Sequence, residues 1–238
     1  MGITVEILAL VPFGLSSLIT LVVGIRLLAV AADRREIPEL AFGLVMILEL
    51  TSAISWALGH TTAAGQLVST LTGAASASTL GLFVVYTFVP HSRLARVGLA
   101  ALLIAAGACV LVPWLAGAWG SEAFYRQFGW GASMVRVCGY AWGAIAAAQS
   151  REALRRRAAL GLSHPLTASR VGFWSIAAAF ACFSYLMPVF DLVAGITLPG
   201  RISFISAGLA IAASSLVWLA FYPPKAYVAW ALRQAGQA

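Results

Sequence analysis

Three ionisable residues stand inside long apolar stretches of this chain: Glu49, Arg136 and Asp191. A charged side chain in a hydrocarbon layer costs roughly 2.5 to 3.5 kcal/mol on insertion scales, so each needs a partner or a purpose. Glu49 lies about the middle of its stretch. Arg136 and Asp191 lie nearer one end of two consecutive stretches, Asp191 three residues after Pro188. Depth therefore pairs Arg136 with Asp191 and leaves Glu49 deeper, held by hydrogen bonds or by a proton. Such a set can serve as an interhelical clasp or as the polar end of a pocket. A proton or ion path would need more relay groups than these.

Helical spacing adds neighbours to each. Ser52 and Trp56 follow Glu49 at i+3 and i+7, Ser133 and Tyr140 share the face of Arg136, and Ser184 shares that of Asp191 with Tyr185 beside it. Pro188 can kink its helix and open space there. The candidate ligand-binding set is thus Glu49, Ser52, Arg136, Tyr140, Tyr185 and Asp191. A polar stripe at Ser69, Thr72, Ser76 and Thr79 runs through Gly73-Ala74-Ala75; small residues of this kind let helices approach closely, and the hydroxyls line the pocket as a second effect.

Other chemistries lack their residues. His60, His91 and His164 fall at stretch ends or in a loop, and no H-E-x-x-H or Cys/His ligand spacing occurs. Cys109, Cys138 and Cys182 sit singly in three apolar stretches and read as small core residues. No catalytic set, metal site or cofactor is expected, and the chain is not expected to be an enzyme.

The elements that position these residues follow from composition. Of 238 residues, 61% are hydrophobic and 10% charged, and seven apolar stretches span 4–30, 37–59, 67–90, 96–117, 127–149, 169–195 and 201–222. About twenty apolar residues in a helix match the ~30 Å hydrocarbon layer. The expected fold class is an all-α membrane protein, one seven-transmembrane-helix bundle over 1–238, and the start of the chain reads as the first span rather than a cleaved leader.

Charge orients it. Twelve basic residues flank one set of ends, among them Arg34, Arg35, Arg93, Arg96 and Arg155 to Arg157, while only Arg126 and Arg201 flank the other. Cationic flanks stay in the cytoplasm, which places the N-terminus outside and the C-terminus cytoplasmic, in the inner (plasma) membrane as a multi-pass protein. The net charge of +7 is thereby spent on topology and implies no nucleic-acid partner. Trp56, Trp114, Trp119 and Trp130 fall at the outer ends and Trp174, Trp218 and Trp230 at the inner ends, as two interfacial belts would. The loop from Ser150 to Ser169 extends the fifth helix past the bilayer until Pro165, and its basic face meets anionic headgroups. Pro223-Pro224 ends the seventh helix, and 223–238 reads as an amphipathic cytoplasmic tail.

Seven spans invite comparison with rhodopsins, but the only lysine, Lys225, lies beyond Pro224 and cannot carry a retinal Schiff base. The G-protein-coupled receptors share the topology and a P-x-x-Y similar to Pro224-Lys225-Ala226-Tyr227, yet Val89 to Arg93 stands where their acidic-Arg-aromatic triplet ends the third helix. The segments Arg34 to Gly43 (RREIPELAFG) and Phe221 to Tyr227 (FYPPKAY) resemble an uncharacterised bacterial family of seven-helix integral membrane proteins. That resemblance implies a topology and no activity.

The functional expectation is a sensor or receptor-like bundle that binds a small or lipid-derived ligand in an outward-facing polar pocket. Two alternatives stand beside it. One is a small-solute transporter in a three-one-three helix arrangement. The other is a membrane subunit acting through a cytoplasmic or membrane protein partner, with small-residue faces such as Gly208, Ala212 and Ser215 packing against it.

Overall fold

The computed structural model describes residues 2–34, 37–121, 124–194 and 199–234. They form eight α-helices and, among the described residues, no strand: α1 (Gly2–Arg34), α2 (Ile37–Gly59), α3 (Ala63–Phe88), α4 (Arg93–Leu115), α5 (Trp130–Ala159), α6 (Pro165–Ala194), α7 (Pro199–Phe221) and α8 (Lys225–Gln234). A π-helical turn, Tyr125–Gly129, leads into α5. All seven expected stretches are helical. Five contain segments long and apolar enough to cross a bilayer: Phe13–Asp33, Ile37–Gly59, Ala63–Phe88, Arg93–Leu115 and Leu166–Phe190. These five suggest a multi-pass membrane protein. In α7 the apolar described part, Ile205–Phe221, is shorter, and α5 is diluted by Arg136 and by the arginines of its last turns.

Helix ends follow local chemistry. Thr62 caps α3, its Oγ1 accepting from the Gly65 amide at 3.1 Å, and Ser92 caps α4 through the Ala95 amide at 3.2 Å. Pro165 opens α6 rather than ending the run before it, because a first-turn proline needs no amide donor. α5 continues to Ala159, where Leu160 and Gly161 (φ +72°) close it. Beyond Pro223-Pro224 the chain resumes as α8, with Tyr227 against Phe173 at 5.3 Å between ring centroids.

The helices pack as a ring in the order α1, α2, α3, α5, α6, α7 and back to α1, with α4 outside it against α3 and α5. The ring encloses an apolar core together with a few polar residues, and its exterior is apolar. Glu49, Ser52, Ser76 and Arg136 are buried, whereas Ile104 is 74% exposed and Leu111, Ile145, Phe183 and Phe190 are also exposed. In water so large an apolar exterior would aggregate; hydrocarbon is the solvent that suits it. One half of the ring is closed by an aromatic core of Phe42, Phe83, Phe88 and Trp174, with Phe42 and Trp174 edge to face at 5.6 Å. Trp174 is therefore a core residue, 4% exposed, and not part of an interfacial belt. Its ring fills the slot beside Gly143, where a Cβ would come within 3.0 Å of it.

Serines fasten neighbouring helices. On α2 and α3, Ser52 Oγ donates to the Ser69 carbonyl at 2.8 Å and Ser69 Oγ to the Ser52 carbonyl at 3.0 Å. α6 and α7 repeat the arrangement through Ser184 and Ser206, at 3.1 and 3.2 Å. Thr20 on α1 and Ser214 on α7 close the ring at 3.1 Å.

Candidate functional site

Four ring helices bring their polar residues to one point. α2 contributes Glu49 and Ser52, α3 Ser76 and a gap at Gly73, α5 Arg136 and Tyr140, and α6 Tyr185. Arg136 Nε lies 3.3 Å from Glu49 Oε2, with both side chains about one tenth exposed. Arg136 Nη2 donates to Ser52 Oγ, and the guanidinium carbon stands 5.2 Å from the Tyr185 ring centroid, within cation–π range. A Cβ on Gly73 would overlap the guanidinium, so the missing side chain makes the room that Arg136 fills.

Glu49 is the better satisfied partner. Its Oε1 accepts from Ser76 Oγ at 2.8 Å and from Tyr140 OH at 3.5 Å, and its Oε2 accepts from Tyr185 OH at 2.5 Å. The two tyrosine rings stack at 5.7 Å and 17°. Arg136 differs. Its Nε, although near Oε2, is out of line for a hydrogen bond and has no other partner among the described residues. A buried cation with an unsatisfied donor is costly in a low dielectric, and Nε is such a donor here.

A cavity of about 760 Å³ lies against this cluster inside the ring. Its floor is Phe42, Trp174 and Val217, and its lining continues to Trp56, Trp130 and Val189. Along α2, Phe42 to Trp56 corresponds to roughly 21 Å at 1.5 Å per residue. The cavity thus runs along about two thirds of α2, from a floor near the arginine-rich helix ends toward the opposite ends. Its volume falls in the range of small-molecule sites, which are typically apolar with a few convergent polar groups.

The structure brings together five of the six sequence candidates: Glu49, Ser52, Arg136, Tyr140 and Tyr185, all lining the cavity. The side chain of the sixth, Asp191, lies outside the described residues. Arg136 pairs with Glu49, where the sequence reading assigned it to Asp191. Sequence reasoning missed two contributions from α3. Ser76 was read as part of a packing stripe whose hydroxyls line the pocket only secondarily and proves to be a Glu49 donor, and Gly73 was read as helix spacing and proves to be the seat of a guanidinium. Their separation by three residues on one face was the available signal. Of the other stripe residues, Ser69 joins the clasp to Ser52 and lines the cavity, while Thr72 and Thr79 bond their own backbone at Val68 and Ala75.

Gln66, also missed, is 1% exposed and ties two turns together. Its Nε2 donates to the His60 carbonyl at 2.9 Å and its Oε1 accepts from the Gly120 amide at 2.8 Å. These bonds join the turn after α2 to the turn after α4. No group of three or more His, Cys, Asp or Glu that could hold a metal occurs among the described residues.

No protein-family model, curated protein or solved structure matches this chain.

Proposed function

We propose that this chain is a seven-helix membrane sensor or receptor-like protein, with its N-terminus outside and its C-terminus cytoplasmic. It binds a small or lipid-derived ligand in the cavity beside Arg136 and Glu49, performs no catalysis, and resides in the plasma membrane. α5 and α7 are the two further spans. The basic residues at one set of helix ends support the orientation, which makes the cavity outward-facing. The observation that carries the reading is the cavity itself, about 760 Å³, apolar over most of its walls and ending on a buried ion pair whose Arg136 Nε lacks a hydrogen-bond partner among the described residues. A ligand there touches Tyr185 and Pro188 on α6 and shifts the helix by its differential affinity for two arrangements. Saturable binding by purified protein, weakened by Arg136→Ala, tests this; an affinity unchanged by that substitution rejects the site.

A transporter is the second reading, and one observation favours it. The ring order treats α1 to α3 and α5 to α7 alike, with α4 outside as a linker. The serine clasps occupy matching places, for Phe42 and Trp174 each precede the clasp serine by ten residues, and Leu80 and Val217 each follow theirs by eleven. Parallel repeats of this kind surround the substrate path in three-one-three carriers. Solute flux in proteoliposomes, lost in Glu49→Gln, would select this reading over a sensor.

A further inference from the structure

Resting on the pocket reading above, we infer that the ligand's recognised group is a carboxylate on an apolar body, and that it is held by Arg136 and not by Glu49. The two partners of the ion pair are unequally satisfied. Three hydroxyls, from Ser76, Tyr140 and Tyr185, already donate to the Glu49 carboxylate. The guanidinium has five N–H groups, yet among the described residues it makes one hydrogen bond, to Ser52, and its buried Nε makes none.

An incoming group therefore gains most by accepting from Arg136. The fork of a guanidinium matches the two oxygens of a carboxylate, and charge-assisted bonds of this kind are about twice as strong as neutral ones. Glu49 need not leave, because its hydroxyl donors hold it. It stays beside the guanidinium as a repelling second carboxylate, which tempers the affinity.

The rest of the cavity sets the ligand's body. Phe13, Met46, Leu50, Trp130 and Val189 line it with carbon, and its roughly 21 Å length along α2 suits an extended chain. A cationic head would meet the positive charge of the guanidinium at the polar end of the cavity. A neutral alcohol would use one donor and leave the others idle.

Saturation binding of radiolabelled decanoate to the full chain in phosphatidylcholine nanodiscs tests the inference, with decanol, decylammonium and decyl phosphate as competitors. One decanoate per chain is expected, with decanol and decylammonium competing at least tenfold more weakly. Glu49→Gln should bind decanoate several-fold more tightly, by removing the neighbouring negative charge, and Arg136→Gln at least tenfold more weakly. The competitor series uses the unaltered chain and decides the matter even where a variant does not fold. Equal competition by decanol, or better competition by decylammonium or decyl phosphate, overturns the carboxylate assignment while leaving the pocket standing. Saturable binding of none of the four overturns both.

Discussion

Gly73 and Arg136 share one volume: a Cβ on the glycine would overlap the guanidinium of the arginine. The buried ion pair therefore exists because a neighbouring helix gives up a side chain. Gly73→Ala gains helix propensity, up to about 1 kcal/mol, but forces Arg136 away from Ser52 and Glu49. Overpacking of this kind typically costs about 1–3 kcal/mol. Thermal unfolding in detergent should show a lower midpoint for Gly73→Ala. Gly107→Ala on α4, where nothing lies within 4 Å of the added carbon, should leave the midpoint unchanged or raise it.

Unequal satisfaction of the pair predicts an order of damage. Glu49→Gln strands a buried guanidinium, and breaking such a pair costs about 3–5 kcal/mol. Arg136→Gln leaves a carboxylate that three hydroxyls still serve, so its loss should be smaller. The double variant should be less damaged than the sum of the two. Unfolding midpoints of all three check this; an Arg136→Gln loss exceeding that of Glu49→Gln would count against the geometry.

Much of this was legible in the sequence, and the limits are physical. The second span was placed at 37–59 and α2 runs Ile37–Gly59, because apolar content and turn residues mark helix ends along the chain. Periodicity likewise put Ser52 on the face of Glu49 and Tyr140 on that of Arg136, since both fall within one helix. It says nothing of how one helix is rotated against another. That is why depth alone assigned Arg136 to Asp191, and why the contributions of Gly73 and Ser76, which depend on α3 facing α5 and α2, were not read. Trp174 went wrong for the same reason: its position near a helix end suggested an interface, but Gly143 opens a slot that takes it inward.

The two serine clasps should differ in weight. Interhelical hydrogen bonds in membranes average about 0.6 kcal/mol and reach about 1.7. Ser184→Ala removes one hydroxyl of a clasp and nothing more, whereas Ser52→Ala also removes the acceptor of Arg136 Nη2. Unfolding measured side by side should show the larger loss for Ser52→Ala, and equal losses would argue that the Arg136 bond contributes nothing.

The end of α7 is held by arginines from its neighbours. Arg170 on α6 donates to the carbonyls of Ala220 and Phe221 at 2.7 and 2.8 Å, and Arg26 on α1 stands 4.1 Å from the Tyr222 ring centroid. These carbonyls are orphans of a helix that Pro223 and Pro224 prevent from continuing. Arg170→Ala should speed hydrogen exchange at Trp218 to Tyr222 and leave exchange around Glu49 unchanged. Uniform acceleration along α7 would mean that the capping is not local.

Accessibility of the cavity from one side of the membrane is the claim on which the account turns. Ala53 lines the cavity one turn from Glu49, so Ala53→Cys, in a chain whose Cys109, Cys138 and Cys182 are replaced by alanine, reports directly on it. A membrane-impermeant methanethiosulfonate should modify this thiol when added outside whole cells, and should fail to do so when added to inverted vesicles. Modification from the cytoplasmic side alone, or from neither side, would contradict an outward-facing pocket within a bundle of seven spans.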